Sequence, residues 1–375
     1  MAGDGSAPGA GSPTARLAFL VAVCLLVYGS FFPATEWSDP GVSPFAWLRA
    51  PFPRYWTFPE IAWNVLAYLP VGLLLAWSLR PAVRGVAAVV VSTLVCAAMS
   101  ASVESIQTYL PGRVASNVDF VANSMGAFIG AVAGVLTARR IIDAAWEVHW
   151  GRRMLRPGTH AAVVLAGLWI LAQIPAQPML FGTGDIVGLL PEAAFRPEAW
   201  WPGVAGMDPV WRVRAEQVCT AFAVIGVAML LMHCLRPVSL RALLMPLLVI
   251  VALSVKAAAQ PLAPPGGPDV FAWLTPGAWG GLLAGLVAAT VLTAAPAVWQ
   301  RRVAILTLLG QLLIVNLFPI DRYFQASVAT GYTGLLYLDA LLREIAVLWP
   351  LAALGWLAMG KGSRDAAGRQ HPASP

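Results

Sequence analysis

The chain has 375 residues, of which 59% are hydrophobic and only 11% charged. Ordinary soluble domains carry roughly 25% charged side chains, so this chain lacks the charge to cover a globular surface in water. A mean hydropathy of +0.72, with apolar runs of membrane-spanning length from end to end, excludes a disordered chain and a soluble enzyme.

About 20 mainly apolar residues are needed to cross roughly 30 Å of hydrocarbon. In chain order this predicts an all-α, polytopic transmembrane helical bundle of about ten spans: 16–33, 59–80, 85–110, 118–138, 159–176, 215–235, 239–259, 277–299, 303–320 and 335–359. Residues 1–15, rich in Gly, Ala, Ser and Pro, read as a disordered cytoplasmic tail. Segment 16–33 begins like a signal peptide, but no A-x-A site follows it and Val23 before Cys24 spoils a lipoprotein-type cleavage, so it counts as a span. Residues 139–158, with Arg pairs around Trp146 and Trp150, read as a basic amphipathic linker on anionic lipid. The longest outer loop, 177–214, carries Trp200-Trp201-Pro202; it suits an interfacial anchor and could also cover a pocket mouth. Residues 300–360 supply C-terminal transmembrane helices and 361–375 a second cytoplasmic tail. Asp339, Arg343 and Glu344 leave open whether the first half of the last span lies along the interface.

The net charge of +6 could point to nucleic acid only if basic and aromatic residues clustered on a soluble face. Instead the arginines sit in short loops, and placing the N-terminus inside puts fifteen of the 24 basic residues in cytoplasmic segments. Cytoplasmic loops retain such an excess, so both termini are expected in the cytoplasm. Cys24, Cys96, Cys219 and Cys234 all fall in apolar runs and read as buried thiols. Neither they nor the four scattered histidines match a metal site, and no cofactor motif is present.

Residues 60–81 match 216–237 at eight of 22 positions, including Glu60 with Glu216 and the closing Leu-Arg-Pro. A shift of 151 superposes Gly126, Gly130 and Gly134 on Gly277, Gly281 and Gly285. Together these predict two parallel four-helix units, 16–138 and 159–299. The second copy is degenerate: Thr220 replaces Asn64, Leu274 replaces Asn123 and Lys256 replaces Glu104. Any site therefore belongs to the first copy.

There, three helices carry polar stripes at helical spacing. Glu60, Asn64, Tyr68 and Gly72 recur every four residues on the second span, where Pro70 can kink the helix. Ser100, Glu104 and Gln107 share a face of the third, and Asp119, Asn123, Gly126 and Gly130 align on the fourth, after Arg113 and Ser116 in the loop. An ionised carboxylate at membrane depth costs about 2.5–3.5 kcal/mol on insertion scales, so Glu104 must be protonated, paired or facing water. Asn and Gln often bond neighbouring helices, Asp119 could cap its own helix, and Gly126-x-x-x-Gly130 reads as a packing face. The combination of acids, Arg113 and two Asn on adjacent helices instead predicts a ligand pocket formed by Glu60, Asn64, Tyr68, Glu104, Gln107, Arg113, Asp119 and Asn123.

The series Asn64-x-x-x-Tyr68-x-Pro70-x-Gly72, Glu104-x-x-Gln107, Arg113, Asp119-x-x-x-Asn123-x-x-Gly126-x-x-x-Gly130 resembles the VanZ-like domain over about residues 17–138. Glu60 departs from the family, where Asp is common at that position. The resemblance implies a bacterial inner-membrane protein of a type linked to low-level resistance to the glycopeptide teicoplanin, and it supplies no reaction. Three functions follow as expectations. The first is a non-enzymatic envelope factor binding membrane lipid or a lipid-linked precursor at the outer leaflet. The others are a proton-coupled transporter and an enzyme on lipid-linked substrates with Glu104 or Asp119 as base. Outside the stripe, Lys256 is expected to snorkel, Arg343 to pair with Asp339, and Gln311 and Asn316 to bond between helices.

Overall fold

The computed structural model of the protein describes residues 12–32, 34–52, 57–138, 154–156, 159–175, 177–187, 208–259, 271, 273–318 and 336–359. The expected linker 139–158 (save 154–156), the Trp200-Trp201-Pro202 stretch, residues 1–11 and 361–375, and the Asp339 side chain lie outside them.

Ten helices make up the described chain: α1 Pro13–Phe31, α2 Phe58–Ser78, α3 Gly85–Gln107, α4 Asn117–Ala138, α5 His160–Leu171, α6 Pro209–Cys234, α7 Val238–Ala259, α8 Pro276–Val291, α9 Ala297–Leu317 and α10 Leu336–Met359. Nine of them are long and apolar enough to cross a membrane. The only β pairing among the described residues is one isolated bridge, Leu155 with Leu235. The chain divides into two compact units, residues 1–152 with 333–341 and residues 153–332 with 342–375.

Several helix starts are written in local chemistry. Ser12 caps α1 by accepting from the Ala15 amide, with Pro13 in the first turn, so the helix begins three residues before the expected span. Thr57 and Glu60 form a reciprocal capping box on α2.

In the first unit α2 and α4 lie backbone to backbone. A Cβ on Gly126 would fall 2.3 Å from the Val65 carbonyl oxygen, one on Gly130 1.9 Å from that of Leu69, and one on Gly72 2.2 Å from that of Ala127. The second unit packs α8 on α6 through Gly277, Gly281 and Gly285. Gly126, Gly130 and Gly134 meet the carbonyls of Val65, Leu69 and Leu73, each 61 residues earlier, while Gly277, Gly281 and Gly285 meet those of Val213, Gln217 and Ala221, each 64 residues earlier.

The fifth expected span, 159–176, is corrected by the structure. α5 is only 12 residues long, about 18 Å at 1.5 Å per residue and too short to cross alone. Turns at 172–175 follow, and residues 177–187, expected in a solvent loop, run through the unit's interior without helix. Leu180 is 2% exposed, Phe181 0% and Thr183 1%. Gln311 and Asn316, expected to bond helix to helix, hold this segment instead. The Gln311 amide donates to the Phe181 and Thr183 carbonyls, and Asn316 receives the Ile186 and Val187 amides while donating to the Gly184 carbonyl. Non-helical backbone survives at membrane depth only when protein satisfies its polar groups. Lys256 does not snorkel either: it is 3% exposed within α7.

Candidate functional site

The C-terminal ends of α1 and α3 and the N-terminal ends of α2 and α4 meet at one end of the first unit. Every residue of the expected ligand pocket lies in or beside this junction, with Glu60 at its rim. Asn64 donates from Nδ2 to Asp119 Oδ1 at 2.7 Å, tying α2 to α4. Ser116 is the cap of α4, since its Oγ accepts from the Val118 and Asp119 amides, which leaves the Asp119 carboxylate for Asn64. Glu104, 3% exposed, accepts the Ser116 amide on Oε2 at 2.7 Å. Glu60 is exposed and serves the capping box of α2.

Two of the expected ligand contacts turn to the main chain of α1. Gln107 donates to the Ser30 carbonyl at 2.8 Å, and Arg113 donates to the carbonyls of Gly29 at 2.8 Å and Phe32 at 3.1 Å. These groups lie at the helix C-terminus, where carbonyls lack intrahelical donors and a cation complements the dipole. Arg113 also places positive charge near Glu104. Both residues therefore fix α1 against the site.

One turn further in, four residues or about 6 Å along each helix, the polar set continues. Asn123 donates from Nδ2 to Ser100 Oγ at 3.0 Å, both side chains being buried. Its Oδ1 has no hydrogen-bond partner, and the Tyr68 hydroxyl has only the Ser100 side chain beside it, without a well-aligned bond, though Asn123 is 4% and Tyr68 3% exposed. Native structures rarely leave buried polar atoms unsatisfied, and each costs about 1–3 kcal/mol. Below them Val71, Leu75, Cys96 and Ala127 close the space with apolar atoms. The result is a ladder of polar side chains two turns deep, here called the shaft, acidic at its outer end and neutral at its base.

The segment after α1 covers the acidic end, a role the sequence offered to 177–214. Ser38 donates its amide to the Tyr109 carbonyl, and Asn117 donates to the Ala50 carbonyl. Trp47, 4% exposed, donates from Nε1 to Ser105 Oγ at 3.3 Å and stacks tilted on Phe120. Sequence reading missed Trp47, because a lone aromatic between apolar runs looks like any interfacial anchor. The Thr57-x-x-Glu60 box was readable, since a Thr followed three residues later by Glu before an apolar run signals a helix start. Among the described residues no cluster of His, Cys, Asp or Glu could hold a metal ion.

Nine apolar helices of spanning length among the described residues define a multi-pass helical membrane protein. Residues 17–138, the first third of the chain and all the helices of the shaft, match the family model VanZ/LLP1. No curated protein and no solved structure matches the chain.

Proposed function

We propose that the protein is a non-enzymatic envelope factor of the bacterial inner membrane, with both termini cytoplasmic and the acidic end of the shaft toward the outer leaflet, beneath the segment that follows α1. Its ligand is a membrane lipid or lipid-linked glycan precursor whose polar head enters between α2, α3 and α4. The observation that carries this reading is the pair at the shaft's base without a well-aligned bond, the Tyr68 hydroxyl and Asn123 Oδ1. One offers a donor and the other an acceptor, which suits a hydroxyl or amide of a headgroup. Asn64, Glu104 and Asp119 line the approach, Glu60 stands at the rim, and Gln107 and Arg113 position α1. Pro70, Gly72, Gly126 and Gly130 keep α2 and α4 at the spacing the shaft needs.

Native mass spectrometry of the full chain tests this. The protein is expected to retain one lipid species at fixed stoichiometry, and Tyr68→Phe with Asn123→Leu is expected to lose it. Asn123→Leu also removes the donor to Ser100 Oγ and is expected to cost about 1 kcal/mol, so Tyr68→Phe alone, which keeps that bond, is the variant whose thermal stability should stay near that of the lipid-free parent. Random bulk phospholipid on both proteins would overturn the reading.

Proton-coupled transport is the second reading. It is favoured by the interrupted fifth span, because transporter sites gather at discontinuous helices. Proton-driven uptake in vesicles that is lost in Glu104→Gln would replace the first reading with this one.

A further inference from the structure

The second unit, which sequence comparison leaves without a site, contains a helix that ends in its interior. The N-terminal side of α5 is fixed level with the C-terminal end of α6: Leu155 pairs with Leu235, Arg156 donates its amide to the Cys234 carbonyl, and Arg236 donates to Met154. From that level α5 rises about 18 Å, while α6, with 26 residues, runs about 39 Å. The chain beyond α5 is met midway along α6, where Thr220 Oγ1 donates to the Leu180 carbonyl at 3.1 Å. The C-terminus of α5, the negative end of its dipole, therefore faces the middle of the unit. Trp169 is 1% exposed there, and Ala172 and Gln173 are 0%.

Backbone amides of residues 172–174 cap the Leu168, Ile170 and Leu171 carbonyls, and two glutamines cap the Trp169 and Ala172 carbonyls. Gln173 donates from Nε2 to Trp169 O at 2.7 Å, and Gln177 donates from Nε2 to Ala172 O. Both carbonyls belong to this end of α5 and its cap, so both carboxamides sit there. Their orientation is settled by chemistry, since a flipped amide would press oxygen on carbonyl oxygen. Each Oε1 is consequently turned away from the helix, and neither has a donor. Gln173 is 0% exposed and Gln177 8%.

We propose that the interior end of α5 binds a monovalent metal cation through Oε1 of Gln173 and Oε1 of Gln177. Two neutral oxygens at a helix C-terminus offer dipoles without a formal charge. That set suits a singly charged alkali ion, whose dehydration carbonyl-type oxygens can compensate. A divalent ion would call for carboxylates, and the two ligands here carry none. Interrupted helices with their carbonyl ends in the membrane interior are where such ions are held in other membrane folds. The site is independent of the shaft in the first unit.

The test uses the full chain in detergent. Thermal unfolding is followed in equal concentrations of choline, lithium, sodium and potassium chloride, together with sodium NMR line broadening. One alkali ion is expected to raise the midpoint saturably by several degrees over choline. Gln173→Leu and Gln177→Leu should each raise the half-saturating concentration at least about tenfold. Because Leu also removes an Nε2 cap, the unaltered protein decides the matter. Identical midpoints in all four salts, with no saturable line broadening, would mean that trapped water satisfies the two oxygens, and the proposal falls.

Discussion

Glu104 and Tyr68 stand one turn apart, both buried, yet the protein treats them differently. Glu104 has a donor in the Ser116 amide, while the Tyr68 hydroxyl has no well-aligned bond. A side chain with a firm structural bond should matter to stability even if no ligand is present. Glu104→Ala leaves the Ser116 amide unbonded in a part-buried site and is expected to cost about 1–3 kcal/mol. Glu104→Gln keeps an acceptor oxygen there and is expected to cost less than about 1 kcal/mol. Chemical or thermal denaturation in one detergent measures both, and equal losses would show that charge rather than acceptance matters. At this scale the sequence disclosed which residues share a polar face, because spacing by three and four is all that a helix face requires. It could not disclose that Gln107 and Arg113 would close on Ser30, Gly29 and Phe32. Their partners are main-chain carbonyls, which every residue has and no side chain advertises.

Helix pairing depends on glycine in a way that single-residue polarity does not. α2 and α4 approach so closely at Gly130 that any Cβ would overlap the Leu69 carbonyl, and backbone cannot rotate aside as a side chain can. Gly130→Val is therefore expected to exceed the usual overpacking cost of about 1–3 kcal/mol and to separate the two helices. Gly167 in α5 is the control, since nothing lies within 4 Å of its Cβ position. Gly167→Ala is expected to be neutral or to stabilise by up to about 1 kcal/mol through helix propensity. Melting of the two variants beside the parent separates a packing glycine from a dispensable one. The small-xxx-small rows were legible because their period is helical. The interruption of α5 was not. Residues 174–181 keep an apolar composition after the helix stops, and composition alone reads them as a span edge followed by loop. What holds them inside, Thr220, Gln311 and Asn316, comes from distant helices.

Across the whole molecule the interrupted segment decides which side each later loop faces. If α5 and residues 172–187 together cross the membrane, four crossings separate the α2–α3 turn from the α6–α7 turn, so Arg84 and Arg236 share a face. If the segment enters and returns, three crossings separate them and they face opposite sides. The bonds of residues 154–156 to the end of α6 favour the first case, because they hold the start of α5 level with Arg236 while α6 begins at the far end. Arg84, Arg236, Thr35 and Asp208 are all exposed, so a cysteine at each should be tolerated. Cys96, Cys219 and Cys234 are buried, but Cys24, expected to be buried, is exposed on the apolar helix α1, so the labelling starts from a Cys24→Ser background. With an impermeant maleimide on intact cells, Thr35→Cys and Asp208→Cys are expected to label. Arg84→Cys and Arg236→Cys are expected to label only after permeabilisation, in keeping with arginine retained on the cytoplasmic side. Labelling of Arg84→Cys and Arg236→Cys from opposite faces would show that the fifth segment turns back, and would place the C-terminus outside.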